Sequence, residues 1–400
     1  MMRRPLWIII VSAGVCVGLT LGFRQALGLF LTPISLDTGM GREMFALSLG
    51  LANLFWGLTA PFAGAIADRI GAGRVAAAGG LCYAAGLAAF TLSGDGEQLI
   101  LGGILIGCGL SGAGFSVVLG AVGRAAPEEK RGAALGAVAM GGSIGQFAAL
   151  PYTFAFLEGF GWTFSLFALA ATTLLIVPIA WGISGKPPAE TGAGRQTIFQ
   201  ALGEASRSPS FWLLNIGFFA CGFHLAFITV HFPAYLADQG FAPWLATASL
   251  TALGVCNIIG SYGCGVLGDR FPKKYVLSYM YIGRAAIFAV FLLLPISETT
   301  VIAFGALMGF LWIGTVPLTS ALVATMFGTG YLSMLFGLVF FGHQIGSFLG
   351  AWLAGHFYDL IGSYDPVWWL CVAIGLISAA LHWPIAERPV ERLATAEAPS

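Results

Sequence analysis

The chain has 400 residues, of which 58% are hydrophobic and 9% are charged, and its 18 basic residues balance its 18 acidic ones. Soluble domains carry roughly 25% charged residues, so this composition, with a mean hydropathy of +0.88, predicts an integral membrane protein. The zero net charge removes the electrostatic basis for binding nucleic acid.

The first apolar run extends from about residue 7 to residue 32 and is long enough to cross a bilayer. Its start, MMRRPLWIIIVSAG, is similar to a signal peptide, but no A-x-A cleavage site follows, so we expect a retained first helix. Arg24 lies inside this run, in VGLTLGFRQALGLFLTP (17–33). A charge within a span costs about 2.5–3.5 kcal/mol on insertion scales, which makes Arg24 the first candidate for a functional residue.

Apolar runs of similar length continue along the chain, and they predict twelve spanning helices. Their predicted ranges are 7–32, 44–67, 74–93, 97–123, 131–157, 162–183, 210–237, 244–267, 275–295, 299–326, 331–358 and 364–386. The longest hydrophilic stretch, 184–209, is rich in Pro, Gly and charge. We interpret it as a cytoplasmic linker between an N-terminal six-helix bundle (1–183) and a C-terminal one (210–400), with a short surface helix over FQALGEA.

The two halves repeat at an offset of 201 residues. GAIADR (64–69) matches GVLGDR (265–270), and LGAVAMGGSIGQF (135–147) matches FGLVFFGHQIGSF (336–348). A parallel repeat of this kind is typical of transporters that bind substrate near the bilayer midplane, between the halves. Two stripes of small residues favour close helix packing. They are Gly14, Gly18 and Gly22 on the first helix, and Gly342, Gly346 and Gly350 on the eleventh.

Lys and Arg are distributed unevenly over the loops. With the N-terminus inside, the inner segments hold 15 of the 18 basic residues, the outer loops hold only Arg42, and Arg24 and Arg284 lie within spans. The positive-inside rule therefore predicts that both termini are cytoplasmic. We expect a monomeric, multi-pass protein in the lipid bilayer of a bacterial inner membrane.

GAIADRIGAGR (64–74) resembles the G-x-x-x-D-R-x-G-x-R loop signature of the major facilitator superfamily, and GDRFPKK (268–274) is similar to its second-half counterpart. The resemblance covers the whole chain and implies an all-α membrane fold of twelve helices in two parallel six-helix repeats. It also implies that the charges of these loops form and break contacts as the bundle closes and opens. The residues given this gating role are Asp68, Arg69, Arg74, Asp269 and Arg270. The alternative is that they only fix the topology.

Within the superfamily, the chain is similar to the branch of monocarboxylate porters and oxalate–formate exchangers. The segments that carry this similarity are FRQALGLFLTPI (23–34), RGAALG (131–136) and GFGW (159–162), together with Asn257. An arginine expected one turn after Asn257 is Ser261 here. The carboxylate clamp of that branch would therefore depend on Arg24, Arg284 or both.

The polar residues of the spans are basic or neutral, because no Asp or Glu lies deep in any predicted span. Positive charge and hydrogen-bond donors in a cavity favour an anionic substrate, and a histidine can pass a proton near neutral pH. The resemblance places the first and seventh helices at the central cavity, where the counterpart of Arg24 is the His224–Leu225 step. The predicted substrate-binding residues are Arg24, His224, His343, Asn257, Gln344, Gln146 and Tyr262, with His224 and His343 as proton carriers.

Both buried arginines leave an alternative open. Arg24 could be a structural charge bound to carbonyl groups instead of substrate. Arg284, near the middle of the ninth helix, is interpreted as a structural charge that pairs with carbonyls or with neighbours such as Tyr281.

The main functional hypothesis is a secondary transporter that moves a small organic anion, a monocarboxylate, together with protons by alternating access. No catalytic motif and no metal-ligand spacing is found, so we expect neither an enzyme nor a cofactor. One alternative is a proton-coupled exporter of amphipathic compounds, although 99–120 carries no charge and 136–150 no proline. The other is a membrane sensor, for which the tail 387–400 is too short to be an output domain.

Overall fold

The computed structural model describes residues 5–92, 96–126, 131–184, 197–328 and 332–390, and these residues form helices and short connections without any strand. The α-helices are α1 (Leu6–Ala26), α2 (Leu31–Thr38), α3 (Arg42–Ile70), α4 (Ala72–Thr91), α5 (Gly96–Ala113), α6 (Phe115–Ala125), α7 (Arg131–Thr173), α8 (Ile176–Ile179), α9 (Ile198–Ser206), α10 (Pro209–Asp238), α11 (Pro243–Arg270), α12 (Lys273–Leu293), α13 (Glu298–Phe310), α14 (Thr315–Phe327), α15 (Leu332–Ile361) and α16 (Asp365–His382). Two 3-10 turns, Leu27–Phe30 and Ala180–Ile183, extend α1 into α2 and follow α8.

Eleven helical stretches of the described chain are long and apolar enough to cross a bilayer. One of them, 136–183, has 48 residues, which is about twice the length that a span needs. Gly161 interrupts its helical conformation with φ 80° and ψ 172°, so this stretch holds two of the predicted spans. The predicted all-α fold with twelve spans is confirmed. Because 185–196 lie outside the described residues, the boundaries of the two bundles remain a prediction.

The 201-residue repeat is visible in the helix packing. The glycine stripe of α1 packs on Gly141 and Gly145 of α7, and the glycine stripe of α15 packs on the backbone of α10 at Phe219 and Phe223. The two contacts occupy equivalent positions, since Gly141 and Gly145 correspond to Gly342 and Gly346 under the offset. In each half, small residues allow two backbones to approach closely.

The fourth and tenth spans are both interrupted near their middle. Gly114 separates α5 from α6, and residues 311–314 separate α13 from α14. Gly114 corresponds to Thr315 under the same offset. An interrupted helix leaves backbone N–H and C=O groups without helical partners, and these groups need other partners inside the membrane.

We refer to residues 5–184 as the N-terminal half and to 197–390 as the C-terminal half. The halves meet where α3 packs on α15, α7 on α11 and the turn 27–30 on α10. Gly28 lies so close to α10 that a Cβ atom there would collide with the Thr229 carbonyl. The end of the bundle that holds the first described residues, the end of α6, the start of α7 and α9 is called the linker end. The opposite end, where α2 meets α3, is called the Arg42 end.

Candidate functional site

Arg24 lies in the last turn of α1, immediately before the chain tightens into the turn 27–30. Its side chain crosses to α3, where its Nε and Nη2 atoms both donate to Asn53 Oδ1, at 3.0 and 2.6 Å. The guanidinium group also lies over the Trp56 ring, 5.3 Å from the ring centre, at a distance typical of a cation–π contact. The structure therefore holds Arg24 with a neutral amide and an aromatic face.

Arg24 faces a narrow cavity of about 10 Å³, on the border between the two halves. A volume of this size holds about one water molecule and is far below the roughly 300–1,000 Å³ of pockets for drug-sized ligands, so the cavity has to widen to hold an organic anion. The walls are aliphatic apart from Arg24, Asn53 and the Thr229 side chain. The residues that line the cavity are Arg24, Leu27, Leu49, Ala52, Asn53, Ile106, Leu110, Thr229 and Val230.

No carboxylate of the described residues lies within ion-pair distance of Arg24 or Arg284. The ion pairs of this part of the chain join Arg42 to Asp238, Lys273 to Glu387 and His356 to Glu43. Because an unpaired charge in a region of low dielectric attracts an anion strongly, the cavity beside Arg24 is the candidate site.

His224 does not line this cavity. Its Nε2 atom donates to the Cys371 carbonyl of α16 at 2.9 Å, and its ring packs on Phe288 of α12. The repeat explains the difference, because the residue 201 positions after Arg24 is Leu225. One residue of an α-helix corresponds to a rotation of about 100°, so His224 points into the C-terminal half.

Asn257 and Gln146 lie together at the border of the halves but bind each other. Asn257 Nδ2 donates to Gln146 Oε1 at 3.1 Å and to Ser143 Oγ at 3.3 Å, so that α11 is joined to α7. Asn257 Oδ1 accepts from Ser261 and from the backbone N–H of Ile313 in the break of the tenth span. The hydrogen-bonding capacity of Asn257 is thus used within the protein.

His343 and Gln344 lie on α15, at the other side of the Trp56 ring. Trp56 meets Phe340 edge to face at 5.2 Å, and Phe340 stacks on the His343 ring at 5.2 Å with an interplanar angle of 10°. His343 Nδ1 lies 3.0 Å from Gln344 Oε1. A row of aromatic rings therefore connects the surroundings of Arg24 with His343, across the border of the halves.

Arg284 is fully buried in α12, away from the cavity. Its Nε and Nη2 atoms donate to the Leu311 carbonyl at 3.0 and 2.5 Å, and Nη2 also donates to the Trp312 carbonyl. These carbonyls belong to the break between α13 and α14, where the interrupted helix leaves them without helical partners. The Tyr281 ring lies 5.4 Å from the guanidinium carbon.

For some of the predicted residues the structure describes the backbone but not the side chain. The side chains of Tyr262, Asp68, Arg69 and Asp269 lie outside the described residues, whereas Arg74 and Arg270 are exposed at the linker end. Their gating role remains a prediction.

The Arg42 end holds a group of contacts between the halves that the sequence analysis did not identify. Arg42 donates to both carboxylate oxygens of Asp238, at 2.6 and 2.7 Å, and to the Tyr364 hydroxyl at 3.2 Å. The Tyr358 ring lies 3.9 Å from its guanidinium carbon. We call the contacts of Arg42 and Glu43 with the C-terminal half the Arg42 clasp.

Glu43 supplies the second part of this clasp. Its carboxylate accepts from Trp352 Nε1 at 3.0 Å and lies 3.1 Å from His356 Nδ1, while its backbone N–H donates to the Asp359 carboxylate at 2.9 Å. A carboxylate at this place stabilises the free N–H groups and positive dipole at the start of α3. The cap comes from the other half, so it joins the two halves at this end.

Asn53 lines the cavity beside Arg24, and sequence reasoning did not assign it to the site, although it is a buried amide in an apolar span. It follows Arg24 by 29 residues, and no local spacing connects residues on two different helices. Only the tertiary structure, in which the long Arg24 side chain reaches from α1 to α3, brings the two together.

An all-helical, multi-pass membrane protein with two repeated halves and a cavity between them has the architecture of a secondary transporter. The sequence profile of the Major Facilitator Superfamily matches residues 10–330 and 250–399, so the chain belongs to this superfamily.

Its relatives include proteins with named substrates. Monocarboxylate transporter 13 of Rattus norvegicus is 25% identical over 371 residues, which cover 90% of this chain and 83% of that protein. The oxalate:formate antiporter of Oxalobacter formigenes is 24% identical over 401 residues, covering 97% and 94%. An uncharacterized transporter of the superfamily from Bacillus subtilis (strain 168) is 23% identical over 395 residues, covering 95% of each chain.

Proposed function

We propose that the protein transports a small monocarboxylate across a bacterial inner membrane, together with protons, by alternating access. The arrangement of Arg24 carries this proposal. A guanidinium group has five N–H donors, and Asn53 accepts from two of its nitrogen atoms without neutralising the charge. The remaining donors and the full positive charge are free for the carboxylate of a substrate.

The walls of the cavity support a substrate with one charge and a short apolar part. Leu27, Leu49 and Ile106 offer only aliphatic contact, and Arg24 is the one cation among the lining residues. A second carboxylate would lose its hydration against these side chains without gaining a partner. The names of two relatives, a monocarboxylate transporter and an oxalate:formate antiporter, support small carboxylates as the substrate class.

The distribution of basic residues supports an orientation with the linker end in the cytoplasm. The Arg42 clasp then lies outside. Within the described residues, the hydrogen bonds between the halves lie at this clasp or near the midplane. We therefore interpret the structure as a state that is closed to the outside, and transport requires the clasp to open.

A proton needs a carrier other than a carboxylate of the cavity, because none occurs among the lining residues. His343 is the candidate that lies nearest to the site, beyond the rings of Trp56 and Phe340. The undissociated acid is the other route. In proteoliposomes, an imposed pH gradient should drive accumulation of the acid. Accumulation that His343→Gln abolishes would assign the proton to His343, and unchanged accumulation would assign it to the substrate.

The test of the substrate class is a thermal-shift screen of the purified protein. The probes are acetate, pyruvate, L-lactate, oxalate, succinate and an apolar cation such as tetraphenylphosphonium. A ligand at 100 times its Kd stabilises the folded state by about 2.7 kcal/mol. We expect stabilisation by the monocarboxylates, loss of this effect in Arg24→Gln, and no loss in Arg207→Gln, which removes an exposed positive charge elsewhere.

Stabilisation by the apolar cation alone, or a carboxylate effect that Arg24→Gln does not change, would overturn the proposal. The first result would indicate an exporter of amphipathic compounds.

A further inference from the structure

The amide of Asn53 has a fixed orientation beside Arg24. Its Nδ2 atom donates to the Leu49 carbonyl at 3.0 Å, and its Oδ1 atom accepts from Nε and Nη2 of Arg24. The partners on the two sides determine which atom is oxygen, since a carbonyl can only accept and a guanidinium group can only donate. Asn53 is 4% exposed, so water does not compete strongly for either contact.

The charge of this contact is as informative as its geometry. An aspartate has nearly the same shape as asparagine and would form an ion pair with Arg24 that is strong in a region of low dielectric. Asn53 supplies the same oxygen without the negative charge. The pair Arg24–Asn53 therefore keeps a net charge of one, whereas an Arg–Asp pair would be neutral.

No carboxylate of the described residues supplies the missing negative charge. The other titratable groups near Arg24 are Tyr83 of α4 and Cys221 of α10. The Tyr83 hydroxyl donates to the Thr20 carbonyl at 3.3 Å, which requires its neutral form. Cys221 Sγ lies 3.2 Å from the Thr315 hydroxyl, within the C-terminal half.

We propose that Asn53 is a positioning residue that determines the selectivity of the site for anions: it aims the Arg24 guanidinium into the cavity and, because it is neutral, leaves the positive charge to the substrate. This inference rests on the proposed function. It adds that anion binding requires a neutral partner for Arg24 as well as Arg24 itself.

The test compares two substitutions that remove different properties of Asn53. Asn53→Asp keeps the oxygen that holds Arg24 but neutralises the pair, whereas Asn53→Ala keeps the charge of Arg24 but removes its support. The Kd of pyruvate and of L-lactate is measured at pH 7.5 by isothermal titration, and the melting temperature is measured without ligand. Lactamide, which has no charge, is the matched control ligand.

We expect a loss of affinity of at least 10-fold in Asn53→Asp and a smaller loss, of about 3-fold, in Asn53→Ala. The melting temperatures should have the opposite order, because the ion pair in Asn53→Asp holds the two helices together. A purely structural role predicts that the aspartate variant is closest to the wild type in both measurements. The combination of higher stability and weaker binding in Asn53→Asp is therefore specific to the proposal.

A wild-type affinity in Asn53→Asp would overturn the inference, provided that Arg24→Gln still abolishes binding. If Arg24→Gln leaves binding intact, or the wild type binds neither acid, the proposed function itself fails and the inference fails with it. Should Asn53→Asp not fold, Asn53→Ser replaces it, since serine keeps a neutral oxygen. We then expect Asn53→Ser to bind more tightly than Asn53→Ala, and equal affinities of Asn53→Ala and the wild type would overturn the inference.

Discussion

Arg24 and Arg284 are both arginines within membrane spans, and both are held by neutral oxygen atoms, yet their surroundings differ. Arg284 is fully buried and donates to two backbone carbonyls in the break between α13 and α14. Arg24 is partly exposed to the cavity and donates to one side-chain amide. Arg284 completes the hydrogen bonding of an interrupted helix, and although its Nη1 atom has no partner among the described residues, it does not line the cavity. Arg24 has donors that face the cavity and are left for a ligand.

This comparison shows how a structural charge in a membrane can be separated from a functional one. Both charges are costly, so burial alone does not distinguish them. What distinguishes the two arginines is which oxygen atoms accept from the guanidinium group and whether a cavity lies beside it. A cation bound to the free carbonyls of a helix end is stabilised by the helix dipole, whereas a cation held by a single amide at the edge of a cavity still needs a counter-charge.

The largest effect is expected from removing the structural charge. Arg284→Met leaves the Leu311 and Trp312 carbonyls without donors in the interior, which should destabilise the folded protein by about 2–4 kcal/mol. The melting temperature in detergent should fall by several degrees. Protein that does fold should bind pyruvate with the wild-type affinity, because Arg284 does not line the cavity. Weaker binding at unchanged stability would assign Arg284 to the site and remove the distinction.

For Arg24→Lys we expect weaker binding at nearly unchanged stability. Lysine keeps the positive charge but loses the planar fork, so it cannot hold Asn53 and a carboxylate with separate, fixed donors. We expect about a 10-fold loss of carboxylate affinity, equivalent to about 1.4 kcal/mol, with little change in the melting temperature. Isothermal titration of both variants side by side is the measurement. An unchanged affinity would mean that charge alone is recognised, without the geometry of the fork.

The sequence predicts the fold well, because the length of an apolar run is a local property and decides whether a helix can span the bilayer. It also reveals Arg24, since one charge in an apolar run is a local anomaly. The repeat predicts the counterpart of a residue only if the two halves are aligned to the single residue. The offset places the counterpart of Arg24 at the His224–Leu225 step, and one residue turns a side chain by about 100°, so that His224 points away from the cavity and donates to the Cys371 carbonyl.

Contacts between helices could not be predicted in the same way. Asn53 holds Arg24 because the Arg24 side chain reaches from α1 to α3, and Glu43 meets Asp359 because α3 packs on α15. The same applies to Asn257, a predicted substrate-binding residue whose amide is hydrogen-bonded to Gln146 and to the Ile313 N–H. A single sequence shows which polar residues are buried, but their partners depend on the tertiary structure.

Accessibility offers a third way to test the comparison. A substrate site should open to each side of the membrane in turn, whereas the surroundings of Arg284 should stay closed. Arg42 and Asp238 form a partly exposed ion pair, with 15% and 26% of their side-chain surfaces accessible, and such a pair is worth about 1 kcal/mol. Arg42→Ala should therefore favour the state that is open to the outside by about 5-fold.

The reporter is a protein whose cysteines are only Thr229→Cys, in the cavity, and the native Cys264, beside the break in the tenth span. Arg42→Ala should raise the labelling of the first by an impermeant maleimide added outside and leave the second unlabelled. The double variant Arg42→Asp and Asp238→Arg exchanges the two charges and should restore the low labelling rate of the wild type. Equal labelling of both cysteines would indicate general loosening of the protein instead of an opened clasp.

The smallest effect is expected at the contact between Asn257 and Gln146. One hydrogen bond between helices in a membrane contributes about 0.6 kcal/mol on average, so Gln146→Ala should shift the balance between the two states of the transporter by about 3-fold. The Kd of pyruvate should change by no more than this factor, because Gln146 reaches Asn257 and not the cavity beside Arg24. A loss of 10-fold or more, measured as for Arg24→Lys, would return both amides to the substrate site. Since Gln146 and Asn257 come from opposite halves, the site would then extend from Arg24 along the midplane to α11, and it would have to accommodate a longer substrate than the cavity indicates.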